Sequence, residues 1–329
     1  MDTSSASSYV YAKASGILAR SFTGAKAAKL FGAQKLADLW TLVFDEEVPS
    51  VPEIILAKTI EQKAAEKFIG EYKKLLAAYD QPAQALVDLL QYFDYENLKS
   101  LGAAAAMGQK DVPPLFDISP YNLLNYGAWP SIQKMTQDSE LAWYDKAPEV
   151  VEQQQLDNEL DLQFIEKLWS SSQELFGEEK KIVQDLIAER YSMRNVVWVL
   201  RLKLYYRMDK NKIVQRLAFL DPRNGKMDPL GGAALEILDK DVENWDDWKN
   251  WKYAKFLNPR EEGSLWSVDP RWVEESSEKE FIKKATKKFH ANPCGEASLL
   301  CWYFVKAKEL DYIRMATEAL RLNVKVQEI

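Results

Sequence analysis

A degenerate repeat of paired amphipathic helices is the feature that most constrains the fold of this chain. The three copies open with Phe-Ile, at Phe68, Phe164 and Phe281. Each copy continues through a short break into a longer apolar segment. The distance from the Phe to a matching apolar residue is 30 to 32 residues in all three, and the matching residues are Leu98, Val196 and Ile313. The pattern predicts three related helix pairs.

Apolar residues in the second helix of a pair follow helical spacing. In the second copy they recur at steps of three, four or seven residues, at Ile182, Leu186, Met193, Val196, Leu200 and Leu204. Stop signals lie at the breaks between the helices of each pair: Pro82, Gly177, Pro293 and Gly295. Because no alternating polar and apolar run bounded by turns demands a strand, we predict an all-α protein.

The repeat also predicts the domain organisation. We expect a first helical module over 1–108, a second over 109–208 and a third over 209–329. Stretches rich in Pro, Gly, Asp and Asn, at 108–130 and 219–232, are expected to connect them. With 47% hydrophobic residues in 329, the chain is long enough to bury a substantial core.

Charge and hydropathy exclude several classes of function. A formal charge of −7 without a long Lys/Arg face argues against nucleic-acid binding. The apolar run "NVVWVL" ends at Arg201, far short of the roughly 20 residues that span a bilayer. The N-terminus "MDTSSASSYV" has no secretory pattern, so we expect a cytoplasmic protein. Cys294 and Cys301, seven apart, are expected to be reduced core residues on one helical face.

Two asparagines interrupt apolar helical faces in corresponding places, Asn97 in "QYFDYENLKSL" and Asn195 in "YSMRNVVWVLR". An amide buried without a partner costs about 1–3 kcal/mol, so each side chain is expected to be hydrogen-bonded. The first interpretation is an internal structural lock that fixes one helix against a neighbouring helix end or loop. The second is a place on a partner-binding surface.

No set of catalytic or metal-binding residues can be completed. The segment "GAKAAKLFG" only superficially resembles a phosphate-binding loop, and a single histidine, His290, cannot build a histidine metal site. Aspartate pairs at 246–247 and 157–161 leave open a metal-dependent all-α enzyme acting on diphosphates, although neither forms an Asp-Asp-x-x-Asp set. The segment "ENWDDWKNWKY" is expected to pack structurally or to carry docking aromatics. We predict no catalytic residue, cofactor or metal.

Charged residues among the apolar faces of the motif helices are the candidates for contacts with partners. They are Arg201, Lys203, Glu309 and Arg314. A solvated helix face is the alternative interpretation. If these charges meet a partner, assembly is expected to depend on salt.

Three segments in order resemble the central-stalk component of V-type and A-type rotary ATPases, which is known as the C subunit in archaea and bacteria and as the d subunit in eukaryotes. They are "FDYENLKSL", "YSMRNVVWVLRLK" and "KAKELDYIRMATEALR". The opening "SYVYAKASGILARS" is similar to the family's first helix, with Tyr9, Ala12 and Lys13 on its pattern. The chain departs from the family in its middle motif, where Tyr191 and Ser192 lie near the place at which the family tends to have an acidic residue, and in its third, where Tyr312 stands at a position usually occupied by Asn.

The resemblance implies three similar modules in a funnel-like, pseudo-threefold arrangement on the cytoplasmic mouth of the membrane proteolipid ring. It implies the central shaft subunits and that ring as partners, and a peripheral location on the membrane. The protein would be non-catalytic and would transmit torque between ATP turnover and ion transport. A free-standing helical adaptor is the alternative function. Neither the transported ion nor the direction of ATP turnover follows from the sequence.

Overall fold

The computed structural model describes residues 3–260, 263 and 265–324. Every regular element in this part of the chain is a helix and none is a strand, which confirms the predicted all-α class. The α-helices are α1 Thr3–Leu18, α2 Ala28–Phe31, α3 Leu36–Val43, α4 Glu53–Leu76, α5 Gln84–Ala106, α6 Ile132–Thr136, α7 Gln153–Ser172, α8 Gly177–Leu204, α9 Lys210–Val214, α10 Gly232–Ile237, α11 Trp245–Trp248, α12 Pro270–Ala291 and α13 Ala297–Leu322. Short 3-10 helices span Gly24–Ala27, Tyr126–Ala128, Pro222–Met227 and Ala254–Phe256.

Three successive pairs of long helices occupy the predicted positions: α4 with α5, α7 with α8, and α12 with α13. The Phe that opens each copy of the repeat, at Phe68, Phe164 and Phe281, is buried in all three. Each first helix begins well before its Phe, and buried residues such as Ile60, Leu160 and Val273 continue the apolar face of each one there. The module boundaries and the pseudo-threefold arrangement stay predictions.

The chain divides into two compact units. The first consists of Met1–Leu160 with Thr286–Ile329, and the second consists of Asp161–Ala285. In the first unit, the N-terminal helices α2 and α3 pack on α4 and α13 through one apolar cluster. Its buried members are Leu30, Leu36, Leu39, Trp40, Val43, Phe44, Leu56, Ala57, Ile60, Ala64, Ile313 and Ala316.

Aromatic side chains fill the middle of the first unit. Trp302 stacks on Phe68 and Tyr72, with ring centroids 5.9 and 6.1 Å apart. Tyr303 meets both of those rings edge-on at 5.1 Å. Such pairs contribute beyond their buried area, so they stabilise the contact between α4 and α13.

The core of the second unit forms around the apolar face of α8. That face contacts Trp248, Trp251, Phe256 and Trp266 from the region that follows it in sequence. The aromatics of "ENWDDWKNWKY" therefore pack structurally: Trp248 is fully buried and Trp251 nearly so. Docking aromatics are the weaker of the two interpretations for this segment.

Two cysteine expectations fare differently. Cys301 is a buried free thiol, and burial raises its pKa to about 12. Cys294 is exposed and lies in the turn before α13, so the expectation of two core thiols on one helical face is wrong for this residue. The cause is local, because Pro293 and Gly295 end the helical path there.

Candidate functional site

Asn97 is buried on α5 and fixes the long connection that follows the helix. Its Oδ1 accepts a hydrogen bond from the Phe116 backbone N–H at 2.9 Å, and its Nδ2 donates to the Phe116 carbonyl at 2.8 Å. Nδ2 also donates to the Tyr126 hydroxyl at 2.6 Å. One amide therefore holds both backbone groups of a residue 19 positions away.

Asp94, one turn before Asn97, completes this arrangement. Its carboxylate accepts hydrogen bonds from the Tyr126 hydroxyl and from the Leu123 backbone N–H. Asp94 is fully buried, and burial raises the pKa of its carboxyl above the usual 3.8, while these hydrogen bonds act in the opposite direction. We call Asp94, Asn97 and Tyr126, with the Phe116 and Leu123 backbone, the first lock.

Asn195 does the same on α8. Its Oδ1 accepts from the Ala218 backbone N–H at 3.0 Å, and its Nδ2 donates to the carbonyls of Ala218 at 2.8 Å and Leu230 at 2.9 Å. All three bonds are buried. Both asparagines thus bind the N–H and the C=O of one downstream residue. That they act as internal structural locks stays a prediction.

A buried carboxylate again accompanies the amide, but it lies in the connection and not on the helix. Asp228 accepts four backbone N–H groups, from Leu220 at 2.9 Å, Asp221 at 2.8 Å, Leu230 at 2.9 Å and Gly231 at 2.8 Å. We call Asn195 and Asp228, with the backbone that they hold, the second lock.

Backbone proximity explains the glycines next to Asp228. A Cβ on Gly232 would lie 2.3 Å from the Lys226 carbonyl oxygen, and one on Gly231 would lie 2.1 Å from the Phe219 ring. Neither position accepts a larger residue without displacing the loop that Asp228 organises.

The third helix pair has no asparagine at the corresponding place and uses charged groups. Tyr312 stands there, edge-on to Phe31. One to two turns earlier on α13, Lys306 Nζ lies 2.5 Å from Glu309 Oε2 and 3.1 Å from Glu71 Oε2. Lys306 and Glu309 are both almost fully buried.

This ion cluster holds the N-terminal segment. Lys306 donates to the Ser21 hydroxyl at 2.8 Å, and the Phe22 backbone N–H donates to Glu309 Oε1 at 2.6 Å. We call Glu71, Lys306 and Glu309, with Ser21 and the Phe22 backbone, the N-terminal lock. In each of the three helix pairs, the second helix therefore secures an irregular segment through buried polar groups.

The four predicted interface residues have different surroundings. Glu309 points into the N-terminal lock, and its carboxylate has internal partners. Lys203 donates to the carbonyls of Ile237, Leu238 and Lys240 at the end of α10, and burial lowers its pKa. The polar groups of both side chains therefore have partners within this chain.

Arg201 and Arg314 are more accessible. The Arg201 guanidinium lies 2.5 Å from Glu274 Oε2 and is one-third exposed. Arg314 is two-thirds exposed and lies 3.8 Å from Glu61, whose pKa is raised by burial and lowered in part by this arginine. Contact with a partner stays a prediction for all four, and Arg314 is the most available of them.

Sequence reasoning missed Asp94, Asp228 and Lys306. Asp94 had a signal, because it lies on α5 three residues before Asn97 and shares its face. Asp228 had none, since a carboxylate in a Pro/Gly-rich connection is typical of any turn. Lys306 and Glu309 gave the spacing of an ordinary surface ion pair.

The residues considered for catalysis or metal binding have ordinary surroundings in the described part of the chain. His290 is exposed, with its Nδ1 3.1 Å from the Tyr11 hydroxyl. Asp246 pairs with Lys249 at 3.0 Å, and Asp247 accepts from the Asp241 backbone. In the part of the chain that the structure covers, no cluster of His, Cys, Asp or Glu is placed to hold a metal ion, and no helix is long and apolar enough to cross a membrane.

Comparison with known proteins decides the family. The family model described as ATP synthase (C/AC39) subunit matches residues 16–329, nearly the whole chain. The chain belongs to this family. Its members are components of V-type and A-type rotary ATPases, structural and not catalytic, which confirms the resemblance seen in the motifs.

A relative in Treponema pallidum (strain Nichols) is also similar over most of its length. It is recorded as an uncharacterized protein and is 25% identical over 301 residues, which cover 92% of this chain and 88% of the relative. The similarity therefore covers most of both chains.

Proposed function

We propose that this chain is the central-stalk coupler of a V/A-type ATPase, joining the membrane proteolipid ring to the shaft and transmitting torque between ATP turnover and ion transport. The observation that carries the proposal is the family match over residues 16–329, which makes the whole chain a component of such a machine. The protein would lie on the cytoplasmic face, bound through the complex and not through a span of its own.

The three locks support a mechanical role. A coupler must not absorb the torsion that it transmits, and close-packed interiors transmit strain. Irregular connections are ordinarily the softest parts of a helical protein. Here the first and second locks hold the connections after α5 and α8, and the N-terminal lock holds the N-terminal segment on α13. These locks stiffen the segments that would otherwise yield.

Mechanism follows from this packing. Torque applied at one surface of a unit would pass along the long helices, because each is buried on one face and joined to its connection by buried hydrogen bonds. No side chain needs to touch nucleotide or transported ion. Arg201 and Arg314 are the predicted residues with enough exposure to meet a partner.

The test is to tag the chain in its native cell, purify it in mild detergent, and identify and count its companions. The proposal predicts headpiece, shaft and proteolipid ring with one copy of this chain. A chain recovered alone, or with proteins unrelated to an ATPase, would overturn it and favour the helical adaptor. Addition of a chelator serves as a control against the metal-dependent enzyme, and helix content should not change.

A further inference from the structure

An open groove lies on the first unit beside α4. It holds about 670 Å³ and runs between the segment that follows α3 and the outer face of α4. Its lining residues are Trp40, Glu46, Glu47, Val48, Pro49, Ser50, Thr59, Gln62, Lys63 and Glu66. None of these belongs to the three locks, and none was singled out by the sequence motifs.

Exposed apolar side chains lie on the wall of this groove and beside it. Val48 on its wall and Ile55 on α4 are 39% and 49% exposed. Ile55 lies one helical turn before Thr59, so it extends the same face of α4. Val51 and Ile54, which are close to these residues in sequence, are also exposed. A patch of this kind is typical of a surface that a partner covers.

The charge of the stretch is one-sided. Residues 42–57 contain four carboxylates, Asp45, Glu46, Glu47 and Glu53, and no Lys or Arg. Among the lining residues three are Glu and only Lys63 is basic. That lysine already pairs with Glu46 at 2.5 Å. The groove therefore presents apolar side chains beside unbalanced negative charge, which repels an anionic membrane surface.

The wall of the groove is fixed before any partner arrives. Trp40 Nε1 donates to the Glu46 carbonyl at 2.9 Å, and Lys67 Nζ donates to the Val43 carbonyl at 2.8 Å. Pro49 and Pro52 restrict the backbone that follows. A preformed site loses little conformational entropy on binding, so its apolar surface is available for affinity.

We propose that this groove docks an amphipathic helix that carries Lys or Arg along its edge, supplied by another component of the ATPase. The face of α4 from Ile55 to Glu66 is about 16 Å long, which matches about three turns of a partner helix. Apolar residues at helical spacing would cover Val48 and Ile55, and the basic edge would meet Glu46 and Glu47. The identity of the partner rests on the proposed function, whereas its chemistry rests on the groove.

The first test uses the assembled complex. A photo-crosslinking amino acid replaces Val48, and the matched control replaces Val150, which is 86% exposed and remote in sequence from the groove. We expect the Val48 position to crosslink to a basic amphipathic segment of another protein of the complex, and the control not to. A crosslink to a second copy of this chain, to an acidic segment, to lipid or to nothing in an intact complex would overturn the inference.

The second test uses the purified chain and does not require the complex. The probe is an 18-residue helical peptide with Leu at positions i, i+3, i+4 and i+7 and Lys elsewhere. A peptide with Glu in place of Lys is the charge-reversed control. Val48→Ser with Ile55→Ser should raise its Kd about tenfold. Glu46→Gln with Glu47→Gln should raise it similarly at low salt and flatten its salt dependence.

Matched controls distinguish peptide binding at the groove from non-specific binding elsewhere on the surface. Val150→Ser with Val151→Ser changes two exposed residues elsewhere, and Glu178→Gln with Glu179→Gln changes an exposed and a half-buried carboxylate on α8. Both control variants should bind the peptide as the wild type does. Equal binding by all variants, or equal loss in the controls, would contradict the inference. If the wild type fails to co-purify with an ATPase but the groove variants lose the peptide, the proposed function fails and the docking groove stands.

Discussion

The first and second locks solve the same problem with a different placement of charge. In both, one asparagine on a long helix holds the N–H and C=O of a single downstream residue, Phe116 or Ala218. In the first lock the carboxylate of Asp94 lies on the helix and reaches into the connection. In the second, Asp228 lies in the connection and folds it around itself.

Burial also separates them. The bonds of Asn195 are wholly buried, whereas those of Asn97 are partly accessible and include a rotatable tyrosine hydroxyl. The comparison teaches that the two locks share the amide, whereas the carboxylate differs in position and accepts hydrogen bonds from the donors that each connection presents. The N-terminal lock extends this point, since it has no amide and relies on an ion cluster.

Removing the ammonium of the N-terminal lock should have the largest effect. Lys306→Met leaves Glu309 and Glu71 without their counter-charge, and breaking a buried ion pair in this way costs about 3–5 kcal/mol. The free energy of unfolding by denaturant measures the loss. Lys308→Met, at a weaker pair with Asp311 3.8 Å away, is the matched control. Neutralising Glu309 as well, with Glu309→Gln, should restore part of the loss; no recovery would contradict the ionic explanation.

Asn195→Leu should cause the next largest loss of stability, and this loss should exceed that of Asn97→Leu. Three buried backbone groups lose their partner in the second lock, for a loss of at least about 3 kcal/mol. In the first lock the bonds of Asn97 are part-buried, and Tyr126 keeps its hydrogen bond to Asp94, so about 2 kcal/mol is expected. Hydrogen exchange at the Ala218 and Phe116 amides reports each lock locally. Asn250→Leu, at an exposed amide, is the control; equal losses in the two locks would break the comparison.

For substitutions of the two carboxylates, the loss of stability should increase with the number of hydrogen-bond donors that each carboxylate binds. Asp228→Asn turns an NH₂ group toward backbone N–H groups, and about 2 kcal/mol is expected. Asp94→Asn should cost about 1 kcal/mol, because it also removes a buried charge. Thermal unfolding of the two variants measures both. A larger loss for Asp94→Asn would show that the helix-borne carboxylate is the more important of the two.

The raised pKa of Asp94 gives the first lock a pH dependence of known sign. The native chain keeps a proton at Asp94 that the unfolded chain releases near pH 3.8, the usual value for this group. The contribution of Asp94 to the free energy of unfolding should therefore fall as pH rises from 3.8 to the raised pKa, and stay constant above it. The difference between wild type and Asp94→Asn across this window measures it. A difference that grows in favour of the wild type would contradict the assigned direction.

Surface ion pairs should have the smallest effect. Arg314→Ala and Arg201→Ala remove partly or largely exposed pairs and should each change the free energy of unfolding by about 0.5 kcal/mol or less. The same unfolding measurement applies. A loss as large as that of Asn97→Leu would mean that stability does not reside in the buried locks.

The helix pairs were predictable because their signal is local. Spacing of three and four residues, with Pro and Gly at the breaks, is enough to predict that the helices α4, α5, α8 and α13 exist, although α4 begins at Glu53, well before the predicted start at Phe68. Asn97 and Asn195 were visible because an amide stands out on an apolar face. Their partners were not, since the backbone groups of Phe116 and Ala218 lie 19 and 23 residues away and carry no side-chain signal.

Tertiary covering explains why the burial of charge on α13 was not predicted. Lys306 and Glu309 have the spacing of a solvated pair, but Glu71 of α4 and the N-terminal segment at Ser21 and Phe22 pack against them. The groove beside α4 was not predicted for a related reason. Its apolar and acidic residues come from a connection and a helix face that only the fold brings together.

Coupling in reconstituted vesicles tests the central claim most directly. ATP hydrolysis and ATP-driven ion uptake would be measured for the same ATPase with and without this chain, and again after the purified chain is added back. The account predicts that hydrolysis persists without the chain while ion uptake is lost, and that adding the chain restores uptake. Uptake that continues at the same ratio to hydrolysis in its absence would contradict a coupling role.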